Sequence, residues 1–160
     1  MKVLAFFAFA AFCLCLGSAG LIPKHASCNL DWYVEPDCAE AGQRIVLQIK
    51  KWNNTACGTG EKCRYALTSF DGKTLKGKHT TPVKHYVDDI SMMFKPSGTG
   101  CAIHGFSSSE TWYAFLDQST NYCNLHNLVS GSNLDKTPKF KETTSDAICT
   151  QYSSADCEKY

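Results

Sequence analysis

The chain has 160 residues, of which 44% are hydrophobic and 19% are charged, and its formal net charge is +1. This length fits one domain. A net charge so close to zero argues against binding to nucleic acid or to anionic membranes, because both need a clustered positive excess.

The N-terminal end has the organisation of a secretory signal peptide. Lys2 precedes an apolar run over residues 3–16, and the small residues 17–20 follow it. A basic start, an apolar centre and small residues are what a signal peptidase recognises. We therefore predict a signal peptide over residues 1–19, a single disulfide-stapled β domain over residues 20–160, and secretion to the extracellular space. No later stretch approaches the ~20 apolar residues of a membrane span, so none is predicted.

Removal of residues 1–19 takes Lys2 from sixteen basic side chains, which leaves fifteen against fifteen acidic, and it takes two of the ten cysteines. An even number of cysteines in an exported chain predicts disulfides. Spacing suggests three pairs, Cys57 with Cys63, Cys149 with Cys157 and Cys28 with Cys38, and leaves the remaining connectivity open. All of the remaining cysteines are predicted to be bridged: Cys28, Cys38, Cys57, Cys63, Cys101, Cys123, Cys149 and Cys157.

A zinc site is the alternative use of two of these cysteines, each with a histidine three residues later. The Cys-x-x-His pairs Cys101 with His104 and Cys123 with His126 have a spacing that can hold zinc on a tight turn. Both pairs lie in β-prone stretches, where residues three apart point to opposite faces of a strand. We therefore predict no metal site, and nothing in the sequence indicates a cofactor.

Short β-type runs separated by turn residues dominate the rest of the sequence. Asp71-Gly72 favours a tight hairpin turn between two of these runs. Near the C-terminus, Ser145 or Asp146 can cap a short helix. In chain order the predicted strands are residues 29–34, 44–52, 63–70, 73–81, 85–95, 101–106, 111–117 and 122–129.

Eight successive strands with short connections favour antiparallel pairing between neighbours. Closure into a barrel removes the two unpaired edges of an open meander, and a barrel of this size can enclose one small ligand. The predicted fold class is therefore all-β, an eight-stranded antiparallel up-and-down barrel that is disulfide-rich and ends in a short C-terminal helix. Strand counting leaves a two-sheet β-sandwich open as the alternative.

Two segments resemble the lipocalins, which are eight-stranded barrels that carry small apolar molecules. Residues 32–34, Trp-Tyr-Val, are similar to the tryptophan-containing start of the lipocalin first strand. Residues 112–117, followed by Thr-Asn-Tyr at 120–122, are similar to the Thr-Asp-Tyr loop that follows a late strand in that family. The resemblance implies a calycin-like β-barrel with an apolar interior.

The sequence contains no recognisable catalytic set. Residues 102–106 resemble the first catalytic segment of the T2 ribonucleases, but the second histidine segment that acid–base cleavage needs is missing, which leaves a hydrolase dependent on His104 as the weakest alternative. Residues 107–110 lack the glycines of a serine nucleophile elbow. Asp88 and Asp89 diverge on a strand and lack the loop of a calcium site, so a solvated strand end is expected. The protein is therefore predicted not to be an enzyme.

One sequon for N-linked sugar, Asn53-Asn54-Thr55, lies in a predicted loop, so Asn53 is a candidate glycosylation site.

The remaining signal is an excess of aromatic and methionine side chains on both faces of the predicted strands. Such surface must meet a helix, a ligand or another protein. The first hypothesis is a secreted, monomeric, non-catalytic binding protein that carries a small apolar molecule inside the barrel, lined by Met92, Phe94, Phe106 and Phe115. The second is an interaction protein of an extracellular matrix, egg coat, secretion or venom, which binds an extracellular macromolecule through its outer surface.

Overall fold

The structure is a computed structural model that describes residues 25–58, 60–110 and 116–160. The predicted signal peptide lies outside these residues, as do Phe115 and most of the predicted strand 111–117. Six strands, two α-helices and a 3₁₀ turn over Tyr152–Ser154 are present in the described part of the chain. In order they are β1 (Ser27–Val34), α1 (Cys38–Trp52), β2 (Tyr65–Phe70), β3 (Thr74–Thr80), β4 (Val87–Ser97), β5 (Gly100–Ser109), α2 (Thr120–Gly131) and β6 (Lys141–Thr143).

The strands form one antiparallel sheet in the order β2-β3-β4-β5-β1-β6. The outer strands β2 and β6 do not pair with each other, so the sheet is open at both edges. The described residues therefore form a six-stranded open sheet instead of the predicted eight-stranded closed barrel, and one sheet instead of the two of a sandwich. Two of the predicted strands are helices, and these helices pack against the sheet instead of extending it.

The predicted strand over residues 44–52 belongs to α1. Ala41, Ile45 and Ile49 are all buried at intervals of four residues, which is the spacing of one helix face. Leu47, which a strand would place beside Ile45 and Ile49, is 63% exposed. Asp37 starts the helix, because its carboxylate accepts a hydrogen bond from the backbone N–H of Glu40 at 2.9 Å.

The predicted strand over residues 122–129 belongs to α2. This helix lies against β5, β1 and β4 of the sheet and beside α1. Nearly all of its residues are buried: within residues 122–129, only His126 is partly exposed. Because a short run of buried residues has no exposed face, its periodicity does not distinguish a helix from a strand.

Five of the other six strand predictions are confirmed with shifted ends, and the sixth, over residues 111–117, falls mostly outside the described residues. Residues 63–70 and 73–81 form the β2–β3 hairpin, in which the carboxylate of Asp71 accepts hydrogen bonds from the backbone N–H groups of Lys73 and Thr74. Gly72 has a φ of 88°, a value that favours glycine. Strand β1 begins two residues before the first predicted strand, β4 has the predicted length but lies two residues further along the chain, and β5 is longer than predicted.

All eight predicted cysteines are bridged. The pairs are Cys28–Cys149, Cys38–Cys101, Cys57–Cys63 and Cys123–Cys157. The Cys57–Cys63 prediction is confirmed, whereas the pairs Cys28–Cys38 and Cys149–Cys157 are wrong. Strand β1 separates Cys28 from Cys38, and the pairing of Val34 with Cys101 brings the start of α1 to Cys101 instead.

The core lies between one face of the sheet and the two helices. Trp32 is its largest side chain and is 2% exposed. It packs where Gly105 on β5 leaves room, since a Cβ at that position would lie 2.7 Å from the indole ring.

Neither described helix is long and apolar enough to cross a bilayer. The predicted C-terminal helix is only the 3₁₀ turn over Tyr152–Ser154, none of whose residues is buried.

Candidate ligand-binding cavity

A cavity of about 480 Å³ lies at the end of the sheet where β3 and β5 finish and β4 and α2 begin. Its volume falls within the range of about 300–1,000 Å³ that is usual for small-molecule sites. The lining combines apolar, hydroxyl, amide and charged side chains: Glu61, Thr81, Val83, Lys84, Tyr86, Asp88, Ser109, Leu116, Asp117, Gln118, Thr120 and Tyr160.

The inner wall of the cavity includes a buried carboxylate on β4. Asp88 is 3% exposed, and it is the cross-strand neighbour of His79 on β3 and of Ser109 on β5. Its Oδ2 accepts a hydrogen bond from the side-chain amide of Asn124 on α2 at 2.8 Å. Burial raises the pKa of Asp88 because it removes water from the charged form. Asp88 is therefore an acceptor that is already engaged by two protein donors, the amide of Asn124 and the side chain of Ser109.

Glu61 is the second carboxylate of the lining and lies in the loop between α1 and β2. Its Oε2 is buried and has no hydrogen-bond partner among the described residues. Burial, with a smaller contribution from the charge of Asp88, raises the pKa of Glu61 to about 7. Glu61 is therefore close to half ionised at neutral pH, and one of its oxygens lacks a donor.

His79 holds the backbone next to this carboxylate. Its ring is fully buried, its Nε2 lies 3.0 Å from the carbonyl oxygen of Glu61, and it packs at a tilt against the ring of Tyr65, with ring centroids 4.5 Å apart. Burial lowers the pKa of His79 to about 4, so the imidazole is neutral at physiological pH. Because a carbonyl oxygen can only accept, the ring nitrogen that faces it carries the hydrogen and donates. His79 thus fixes the loop that carries Glu61.

Asp117 is the third carboxylate, and its oxygens are already engaged. They accept hydrogen bonds from the backbone N–H of Ser119 at 3.1 Å, the backbone N–H of Asn121 at 3.0 Å and the side-chain amide of Asn121 at 2.7 Å. These bonds satisfy donors at the start of α2, where a negative charge also interacts favourably with the helix dipole. Asp117 therefore orders the cavity wall and is less available to a ligand than Glu61.

Exposed apolar side chains gather at the mouth of the cavity. Among the described residues six large hydrophobic side chains are exposed, and three of them, Val83, Tyr86 and Leu116, line this cavity. Lys84 is the one lysine of the lining, and it is exposed. The cavity thus has an acidic interior and an apolar rim.

The structure does not bring the four predicted lining residues together. Met92 and Phe94 are buried in the core, where Phe94 packs edge-on against Phe70 with ring centroids 5.8 Å apart. Phe106 is half-buried on the opposite face of the sheet, because Met92 pairs with Gly105 and a shift of one residue changes the face. Phe115 lies outside the described residues.

Other residues considered from the sequence lie away from the cavity. His104 is on the outer face of the sheet, with its Nδ1 2.8 Å from Oδ1 of Asp31. Asn53 is exposed at the end of α1, and its glycosylation stays a prediction. Cys101 and Cys123 of the zinc alternative are in disulfides. Within the described ranges no group of three or more His, Cys, Asp or Glu side chains is placed to hold a metal ion.

Sequence reasoning missed both Glu61 and Asp88, although one signal pointed to Asp88. Asp88 shares its strand phase with Ile90, Met92 and Phe94, the residues predicted to face inward, whereas Asp89 has the opposite phase. In the structure Asp89 is exposed and forms an ion pair with Lys78 at 2.8 Å. Glu61 lies in a loop with no periodic pattern, so only the tertiary structure reveals its position.

Comparison with models of known protein families finds no match, and comparison with curated proteins finds none either. Among solved structures, the chain is similar to the crystal structure of TTHA0849 from Thermus thermophilus. The two share 9% sequence identity with a TM-score of 0.32, and the match covers 68% of this chain and 87% of the other.

Proposed function

We propose that the protein is a secreted, non-catalytic binding protein that holds one small organic molecule in this cavity. The observation that carries the proposal is the concentration of exposed apolar side chains on one concave site: half of the exposed large hydrophobic residues among those described line it. Exposed apolar surface of this kind gains free energy when a ligand covers it, at about 25 cal/mol per Å².

The polar groups of the interior support the same function. Apolar walls with a few placed polar groups are the usual make-up of small-molecule sites, because the walls supply affinity and the polar groups fix orientation. Here Val83, Tyr86 and Leu116 form the wall, and Glu61 and Asp88 are the acceptors within it. The four disulfides are compatible with an extracellular protein.

The double variant Val83→Ser with Leu116→Ser tests this function. We expect the wild type to bind the neutral apolar fluorophore N-phenyl-1-naphthylamine saturably and one to one, and the variant to bind at least about tenfold more weakly, because each lost aliphatic contact is worth on the order of 1.5 kcal/mol. Both side chains are exposed, at 84% and 73%, so folding should be unaffected.

The matched control is Leu47→Ser with Met93→Ser, which removes two exposed hydrophobic side chains outside the cavity. This variant should keep the wild-type dissociation constant. Equal weakening in the two double variants, or fluorescence that rises without saturation in the wild type, contradicts a binding site in the cavity and favours interaction through the general outer surface.

A further inference from the structure

We propose that the molecule held in this cavity is a small organic cation, in which an ammonium head binds Glu61 and an apolar body packs against Val83, Tyr86 and Leu116. This inference rests on the proposed function, because it specifies the ligand class of the same site. Three features of the cavity support it: the charge of its lining, the unpartnered acceptor on Glu61, and its apolar rim.

The charge of the lining favours a cation over an anion. Three carboxylates line the cavity, against the ammonium of Lys84. Lys84 is exposed, so its ammonium can remain in water while Asp88 is almost wholly buried. An anionic ligand placed beside Glu61 and the buried Asp88 would meet like charges, which costs binding free energy.

The vacant acceptor favours a donor-rich head group. Asp117 is engaged by the start of α2, and Asp88 accepts from Asn124, whereas Oε2 of Glu61 is buried with no partner among the described residues. An ammonium group has three donors and no acceptor, so it complements an acceptor-only pair of carboxylates. Its charge-assisted hydrogen bonds are about twice as strong as those of a neutral hydroxyl.

The rim favours an apolar or aromatic body on that head group. Val83 and Leu116 are aliphatic, and the ring of Tyr86 is 39% exposed beside them. A cavity of about 480 Å³ accommodates an arylalkylamine but leaves a bare inorganic cation without contact to the rim. The ligand class is therefore an amine with a hydrophobic substituent.

Ionisation of Glu61 makes the expected binding pH-dependent. Burial raises the pKa of Glu61 to about 7. The titratable groups around it are Asp88 on β4, Tyr65 on β2, Lys84 and Asp117 in the flanking loops, and neutral His79 at its carbonyl. A cation binds the ionised carboxylate, so at acidic pH the carboxyl group must first lose its proton. Affinity should therefore fall about tenfold between pH 8 and pH 6.

The test uses three ligands of nearly equal size and different charge: tryptamine, its alcohol tryptophol, and indole-3-acetate. Isothermal titration calorimetry of the purified protein at pH 8 should give a dissociation constant for tryptamine at least about tenfold below that for tryptophol. Indole-3-acetate should bind most weakly. Titrations at pH 8, 7 and 6 then measure the pH dependence in the wild type, with no variant needed.

Glu61→Gln should remove both the preference for tryptamine and the pH dependence, and Asp88→Asn should reduce the preference in a second variant. Glu40→Gln is the control, because Glu40 is an exposed residue at the start of α1 that pairs with Arg44 away from the cavity. It should behave like the wild type.

The outcomes separate the inference from the proposed function. Equal or tighter binding of tryptophol or indole-3-acetate overturns the cation inference and leaves a binding function in place. An unchanged tryptamine preference in Glu61→Gln also overturns it. If none of the three compounds binds below millimolar concentration, the cation inference fails, and the naphthylamine titration decides the binding function separately.

Discussion

Replacement of both Cys28 and Cys149 by alanine is expected to lower the free energy of unfolding by about 5 kcal/mol. The bridge spans a sequence separation of 121 residues, and both cysteines are buried. It joins β1 to the C-terminal segment, since Cys28 and Cys149 also form an isolated β-bridge. In the chain-entropy account a bridge stabilises by restricting the unfolded chain, and the effect grows with the length that it closes.

The Cys57–Cys63 bridge is the internal comparison, because it spans a separation of only 6 residues. Its replacement by two alanines should cost about 2 kcal/mol. Urea denaturation of the wild type and both double variants, followed by circular dichroism without reductant, measures the two losses. Equal losses, or a larger loss for Cys57 and Cys63, would show that the long bridge does not hold the C-terminal segment to β1.

Trp32→Ala is expected to cost about 3–5 kcal/mol, because it removes the largest side chain of the core and leaves a cavity. The indole is 2% exposed and lies over Gly105 on the neighbouring strand. Its Nε1 also donates a hydrogen bond to Oε2 of Glu142 at 2.8 Å, which ties β1 to the edge strand β6. The midpoint of urea denaturation, followed by far-ultraviolet circular dichroism, measures the loss.

Trp32→Phe separates packing from the hydrogen bond. Phenylalanine keeps an aromatic ring over Gly105 but has no donor for Glu142, so we expect a smaller loss of about 1–2 kcal/mol. Met93→Ala, which truncates a side chain that is 52% exposed, should leave the midpoint nearly unchanged. A midpoint for Trp32→Ala as high as that of Met93→Ala would mean that the indole is not a core residue.

Local signals were sufficient to predict β1 and the hairpin of β2 and β3. The Asp71-Gly72 turn needs only its own residues, since the aspartate carboxylate binds the backbone N–H groups of Lys73 and Thr74 and the glycine accepts a positive φ. Strand β1 alternates buried and less buried positions along its whole length, which is the pattern that the sequence shows.

The two helices were predicted as strands for different reasons. In α1 the alternation of Ile45, Leu47 and Ile49 imitated a strand, although Asp37 and Glu40 offered a helix-start signal three residues apart. In α2 burial on all sides removed the periodicity on which any sequence prediction depends. As helices, these two segments cover the sheet instead of adding strands to it, and the six described strands form an open sheet.

The cavity could not be predicted because its parts come from distant segments. Glu61 comes from a loop, Asp88 from the start of β4, and Leu116 from the loop before α2, and none of them belongs to a local motif. The predicted lining of Met92 and Phe94 instead fills the core, since the helices cover the face on which the sequence placed a ligand. The general prediction of a binding protein is therefore retained as a proposal, with a different site.

The crystal structure of the protein grown with tryptamine at pH 8 tests the central claim most directly. We expect electron density for the indole between Tyr86 and Leu116, with the ammonium nitrogen about 2.7–3.2 Å from a carboxylate oxygen of Glu61. Tryptamine bound elsewhere on the protein, or a cavity that stays without ligand density at saturating concentration, would contradict it.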